Sequence, residues 1–174
     1  MNRRAFVNAL GGAGILAAAD TPQKTRLYRL TLYFMRMGDQ PARLNQFLAS
    51  QLPLLRKTYP GPLGFFNVFL GSHLPAMVTL AGFPGFAEME SALSKSRSDP
   101  GFQKALAELE SGPEPPYDRL DVTLLAATDY SPEIQPLREK PKTSRIFELR
   151  VYHSPTLHQN RLLHERFADR KSVV

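Results

Sequence analysis

The 174-residue chain has room for one domain of ordinary size, or for one domain and part of a second. Apolar residues make up 43% of it and charged residues 22%, which is typical of a globular protein and excludes a disordered one. The absence of cysteine excludes a disulfide framework, a thiolate metal site, a cysteine nucleophile and a lipid anchor on cysteine. The net charge of +6 is not gathered into a basic stripe with interleaved aromatic residues, so no nucleic-acid binding is predicted.

Residues 1–19 predict a cleavable export signal. A basic start at Arg3 and Arg4 is followed by a weakly apolar run that ends in the small residues Ala17 to Ala19. No acidic residue appears before Asp20. The run is too short and too rich in glycine and alanine to span a membrane comfortably, so we expect no stable membrane anchor.

The leader resembles a bacterial twin-arginine signal, because Arg3 and Arg4 are followed by Phe6 and a core of low hydrophobicity. This resemblance implies export of a folded protein, with cleavage near Ala19 and a periplasmic or secreted location. An ordinary secretory leader and, more weakly, a mitochondrial transit peptide remain the alternatives.

Residues 26–36 predict a strand that is apolar on both faces. One face carries Tyr28, Leu30, Leu32 and Phe34, and the other carries Leu27, Thr31, Tyr33 and Met35. A helix should follow, with Asp39 as N-cap, Pro41 in the first turn and an apolar stripe from Leu44 to Tyr59. Pro53 is expected to kink or split this helix.

Two β-rich runs, Leu63 to Gly71 and Pro75 to Phe83, predict a hairpin joined by Gly71-Ser72-His73. A second helical region is predicted from Phe86, with Phe86, Met89 and Leu93 on one side. It restarts at Asp99, a capping residue followed by proline, and residues 119–128 then predict a fourth strand.

The order β-α-β-β-α-β predicts an α+β class: a ferredoxin-like antiparallel sheet with both helices on one face. Helices can cover only one side of that sheet, yet neighbours such as Phe65 and Phe66 point to opposite sides. We therefore expect a second cover, either from a second copy of the chain in a homodimer or from a tandem copy in the same chain.

A partial tandem copy is visible in the sequence. After a first domain at residues 25–130 and a polar linker at 131–143, residues 144–168 repeat the opening of the domain. Arg26, Leu30 and Tyr33 recur as Arg145, Leu149 and Tyr152, and the matching helix follows. This predicts the first strand and helix of a second, incomplete unit.

The last six residues, 169–174, predict a non-native tail. Their codons can match the start of a common short-read sequencing adapter, so we expect the natural gene to continue past Ala168. A natural terminus at Val174 is the alternative.

Three segments resemble the NIPSNAP family of the dimeric α/β-barrel superfamily. They are the R-x-x-x-L-x-x-Y openings at Arg26 and Arg145, the run QLPLLRKTYPGPLGFFNVFLG, and the helix start SDPGFQKALAEL. The resemblance implies a barrel of two facing sheets and supplies no agreed catalytic residues. Haem-binding relatives often place a histidine on a helix against the sheet, and residues 86–109 contain none.

No nucleotide loop, zinc motif or nucleophile elbow occurs in the right context, so we expect no cofactor and no metal. His73 lies in the predicted hairpin turn, and His153 ends the repeated strand. His158 and His164 are six residues apart, which does not place them on one helical face.

Polar residues on otherwise apolar strands are the remaining candidates for ligand binding: Tyr33, Asn67 and Tyr152, with Arg29 and Arg150 among apolar neighbours. The plain alternative is that the tyrosines pack in the core with their hydroxyls satisfied. The pattern favours a protein that binds a small, mostly apolar molecule or acts as an interaction scaffold. The alternative is a cofactor-free monooxygenase or isomerase.

Overall fold

The computed structural model describes residues 23–135, 143 and 145–169. The predicted leader, most of the linker, and the tail after Asp169 lie outside the described residues. The elements are β1 (Leu27–Phe34), α1 (Gln40–Thr58), β2 (Leu63–Val68), β3 (Ala76–Phe83), α2 (Phe86–Ser98), α3 (Pro100–Glu110), β4 (Arg119–Ala126) and α4 (Leu157–Asp169).

The four strands form one antiparallel sheet in the order β2-β3-β1-β4. Helix α1 connects β1 to β2, and the pair α2–α3 connects β3 to β4. This topology confirms the predicted ferredoxin-like α+β fold.

The pairing register divides the strand residues between two faces. Thr31 of β1 lies opposite Thr79 of β3 and Val122 of β4. This face meets the helices, because Met77, two residues before Thr79, packs in a core cluster with Leu44 of α1. We call it the helix side.

The opposite face of the sheet, which we call the open face, carries a continuous apolar surface. Neither core cluster of the described residues includes a member of this face. Its large apolar residues are Tyr28, Leu30, Leu32, Phe34, Phe66, Val68, Val78, Leu80 and Leu125. The prediction of a sheet that is apolar on both faces is therefore confirmed.

Helix α1 runs unbroken from Gln40 to Thr58, so the predicted split at Pro53 is wrong. Pro53 is exposed, so water can satisfy the backbone carbonyl that loses its partner at the proline. Asp39 precedes the helix as predicted, but its side chain makes no capping hydrogen bond.

The second helical region confirms the predicted restart, since the Asp99 side chain accepts a hydrogen bond from the Phe102 backbone N–H at 2.9 Å. One detail of this region is different from the prediction. Phe86 is 65% exposed, because it starts α2 at the edge of the layer, and the buried residues of α2 are Ala92 and Ser96.

The predicted hairpin is present with a longer loop, from Phe69 to Pro75. Phe69 and Leu70, which were expected to continue the strand, lie in this loop with exposed side chains. Gly71 within the loop and Pro75 at its end disfavour strand pairing there, so the ladder ends earlier than the apolar pattern suggests.

The expected copy of the first strand is not a strand in the structure. Residues 145–153 carry exposed side chains and pair with no strand in the described part of the chain. The copied helix does form as α4, although none of its residues is buried. A strand needs a hydrogen-bonded neighbour, whereas a helix satisfies its own backbone, so only the helix forms locally.

The side chain of Gln40 joins three parts of the fold from a fully buried position. Its Oε1 accepts a hydrogen bond from the Arg36 backbone N–H at 2.6 Å. Its Nε2 donates to the Pro115 carbonyl at 2.9 Å and to Asp118 Oδ1 at 3.2 Å. These bonds fix the end of β1 and the start of α1 to the segment that enters β4.

We expect Gln40→Ala to lower the free energy of unfolding by about 2 to 3 kcal/mol, because it removes the three hydrogen bonds of a fully buried side chain. Urea unfolding followed by circular dichroism measures this change. The matched control is Gln46→Ala, an exposed glutamine on the same helix, which should change stability by less than about 0.5 kcal/mol. Equal effects of the two variants would contradict the anchoring role of Gln40.

Candidate functional site

The structure places two of the three predicted ligand-binding residues in one row of the helix side. Tyr33 and Asn67 both lie opposite Met77, on either side of β3. Met77 is fully buried between them, and the exposed Asn67 accepts a hydrogen bond from Asn45 Nδ2 at 3.3 Å.

Tyr152 does not join them. It lies in the segment 145–153, is 51% exposed, and packs its ring edge-on against Phe167 of α4, with the ring centroids 5.5 Å apart. Arg150, the other polar residue noted in this repeat, is exposed and pairs with Glu148 at 2.7 Å.

Tyr33 is the best enclosed of the predicted residues. Its ring meets Tyr117 in an edge-to-face contact with centroids 5.3 Å apart. Burial raises the pKa of the Tyr33 hydroxyl above its ordinary value, although the charge of Arg29 and a hydrogen bond with Thr79 act in the other direction. Tyr33 is therefore protonated at neutral pH and offers a hydroxyl, not a phenolate.

The most unusual group of this layer was not predicted from the sequence. Thr31 is completely buried, and its Oγ1 has no hydrogen-bond partner among the described residues. Its neighbour across the ladder, Thr79, interacts with the Tyr33 hydroxyl instead. The signal in the sequence is that positions 29 and 31 are polar on a face that must meet the helices.

Arg29 and Tyr59 extend this polar group. Arg29 lies on the helix side between Ala81 of β3 and Leu124 of β4, and it is half-buried. Burial raises the pKa of Tyr59, and the positive charges of Arg29 and Arg97 oppose that rise. The arginine charges therefore act at the end of α1, where Tyr59 packs against the core.

The helices leave the β4 part of the helix side uncovered. Leu120, Val122 and Leu124 point to this side by register, yet they remain 38%, 44% and 44% exposed. Their register partners on β1 are Tyr33, Thr31 and Arg29. The polar group is therefore bordered by an open apolar wall.

A pocket of about 520 Å³ lies along α2. It is lined by Phe86, Met89, Glu90, Leu93, Ser94, Arg97 and Ser98. Arg97 links this pocket to the polar group, because its charge acts on the Tyr59 hydroxyl.

A second pocket, of about 420 Å³, lies at one end of the open face and includes His73. The Arg119 guanidinium covers the Phe34 ring at 4.1 Å, and His73 meets the ring edge at 5.3 Å. His73 lies in the hairpin loop, as predicted, and its Nδ1 is 3.1 Å from Ser72 Oγ.

Among residues 23–135, 143 and 145–169, no group of three or more histidine, cysteine, aspartate or glutamate residues is arranged to hold a metal ion. No helix in that part is both long enough and apolar enough to cross a bilayer.

The polar group of Arg29, Thr31, Tyr33 and Tyr59, with the wall of β4 beside it, is the candidate site. It offers a cation and several hydroxyls within an apolar layer, which suits a ligand that is mostly apolar and carries few oxygen atoms. We call it the β1 polar group.

Comparison with known proteins adds information at the level of the fold. No protein-family model and no curated protein matches the chain. Among solved structures, an uncharacterized NIPSNAP-like domain protein from Burkholderia xenovorans matches with a TM-score of 0.53 and 18% identity, over 67% of this chain and 97% of its own. A NIPSNAP family protein from Agrobacterium tumefaciens matches with a TM-score of 0.52 and 17% identity, over 62% and 90%.

SnoaB, a cofactor-independent oxygenase from Streptomyces nogalater, is similar with a TM-score of 0.43 and 16% identity, over 63% of this chain and 99% of its own. A TM-score this low supports no argument about this chain. The matches to the NIPSNAP structures are closer, and they confirm the resemblance seen in the sequence as far as the fold is concerned. The chain has a NIPSNAP-like fold.

Proposed function

We propose that this chain is an exported protein that binds a small, mostly apolar molecule on the helix side of its sheet, at the β1 polar group. The observation that carries this proposal is the buried Thr31 hydroxyl without a partner, next to an uncovered apolar wall. Leaving such a hydroxyl unpaired costs about 1 to 3 kcal/mol, and a bound molecule that supplies the partner removes this cost.

The walls of the site support an apolar body for the ligand. Val122, next to Thr31 across the ladder, and Leu124, next to Arg29, expose their side chains on the same face. A molecule that lies against them buries apolar surface at about 25 cal/mol per Å², while its oxygen atoms reach the hydroxyl row.

The raised pKa values of Tyr33 and Tyr59 favour binding over catalysis by these residues. Burial raises both, so each hydroxyl keeps its proton at neutral pH and cannot act as a general base there. A cofactor-free enzyme of the monooxygenase or isomerase type is the alternative function, and formation of product from a bound molecule would favour it.

The test uses naphthalene-2-methanol, a neutral apolar alcohol, as the probe in methyl-resolved NMR. We expect its binding to shift the methyl signals of Val122 and Leu124 on the helix side. Shifts confined to Leu32 and Val78 of the open face, or no binding at all, would contradict the proposed site.

Two threonine variants test the role of the unpaired hydroxyl. We expect Thr31→Val to raise the free energy of unfolding by about 1 kcal/mol and to weaken probe binding about threefold to tenfold, because it removes an unpaired group that the ligand uses. Thr79→Val is the matched control on the neighbouring strand. It should lower stability by about 1 kcal/mol, because the Tyr33 hydroxyl loses its partner.

We further propose that a second copy of the sheet covers the open face, from another chain or from a tandem unit. Nine large apolar residues lie together on this face, eight of them half-buried and Leu125 exposed, and a contiguous apolar surface of this kind marks an interaction site. The ring contact between Phe66 and Phe147, with centroids 5.2 Å apart, supports this idea, because it brings part of the repeated segment to this face.

Light scattering over a range of concentrations tests this partner. We expect the chain to self-associate and Leu32→Lys, at the centre of the open face, to abolish the association because it buries an unpaired charge. Leu70→Lys, in the exposed hairpin loop, is the control and should associate like the original chain. A folded chain that stays monomeric at every concentration contradicts the proposal.

The proposed export rests on the leader sequence. We expect the double change Arg3→Lys and Arg4→Lys to stop export of the full chain in a bacterium with the twin-arginine route, measured as its periplasmic fraction. Both changes keep the positive charge, so an ordinary secretory leader would tolerate them. Unchanged export of the double variant would therefore exclude the twin-arginine route.

A further inference from the structure

Arg29 differs from the surface arginines that have a carboxylate partner. Arg36, Arg119, Arg150 and Arg161 each pair with a carboxylate at the surface, at distances from 2.7 to 3.7 Å. Arg29 is half-buried on the helix side, and no described residue forms an ion pair or hydrogen bond with its guanidinium. Its neighbours across the ladder, Ala81 and Leu124, are apolar.

An unpaired guanidinium in this position is costly, because burial removes water from a charge without supplying a counter-ion. A guanidinium presents its donors in a planar fork, and the group that matches this fork is a planar oxyanion such as a carboxylate. The cost therefore disappears when a ligand brings such a group to Arg29.

The surroundings add positive charge and hydrogen-bond donors. The charges that act on the Tyr59 hydroxyl are those of Arg29 and Arg97, and both favour a negative charge there. The charge of Arg29 also favours a negative charge on the Tyr33 hydroxyl, because it acts to lower the pKa of Tyr33.

We propose that the natural ligand of the β1 polar group is an apolar organic acid, whose carboxylate binds Arg29 and whose apolar body lies against Leu124 and Val122. This inference rests on the proposed function, and it adds the chemical class of the ligand. The Thr31 hydroxyl lies two residues along the same face of β1, and it has no hydrogen-bond partner among the described residues.

The test compares two probes that share one skeleton, 2-naphthoate and naphthalene-2-methanol, by calorimetry at neutral pH. We expect the acid to bind at least about tenfold more tightly, since a charge-assisted bidentate contact replaces a neutral one. Arg29→Gln should reduce the affinity for the acid to about that for the alcohol, and it should weaken acid binding far more than alcohol binding. Arg29→Lys keeps the charge without the fork and should give an intermediate value.

Arg119→Gln is the matched control, because Arg119 is the cation of the open face. It should leave both affinities unchanged. A loss of acid binding in this variant would show that the carboxylate binds on the open face, which would contradict the inference. Equal affinities of the original chain for acid and alcohol overturn the inference and leave the proposed function standing. If neither probe binds at the helix side, the proposed function fails together with the inference.

Discussion

The structure depends on one constraint: its four-stranded sheet is apolar on both faces, while its helices cover only one. On the helix side, Met77 and Phe83 of β3 are fully buried under α1 and α2. On the open face, Leu32 and Val78 lie opposite each other, are half-buried, and belong to neither core cluster of the described residues. On the helix side, the burial of apolar surface away from water stabilises the fold. On the open face, the same apolar character makes the sheet a surface that needs a cover.

Most of the architecture could be predicted from the sequence, because alternation along a strand and capping at a helix start are local signals. The register placed Phe65 and Phe66 on opposite faces, and Asp99 caps α3 as expected. The failures share a cause, which is that the outcome depends on tertiary context. Pro53 fits into α1 because it is exposed. The repeated segment at Arg145 has no neighbouring strand with which to pair in the part of the chain that the structure describes.

The candidate site was harder to predict for a similar reason. Tyr33 was visible in the sequence because it recurs in the repeat, but recurrence does not show which residues meet in space. Thr31 is an ordinary strand residue in sequence, and it becomes unusual only because the helices bury its hydroxyl and give it no partner. Repetition also suggested Tyr152, which the fold leaves exposed beside α4.

The outline of the open face has a geometric consequence. At the Phe34 end, β2 contributes Phe66 and Val68, while β4 places the charged Arg119 and Asp121 there. At the Tyr28 end of the sheet, β2 does not extend far enough to contribute, and β4 contributes Leu125 beside Tyr28. The apolar strip therefore runs diagonally across the strands. Its outline cannot be superimposed on its mirror image by rotation within the plane of the sheet. The strands of a covering sheet that follows this diagonal have to cross the strands of this sheet at an oblique angle, and in one sense of rotation only. Packed sheets whose strand directions differ by about 30° have this arrangement.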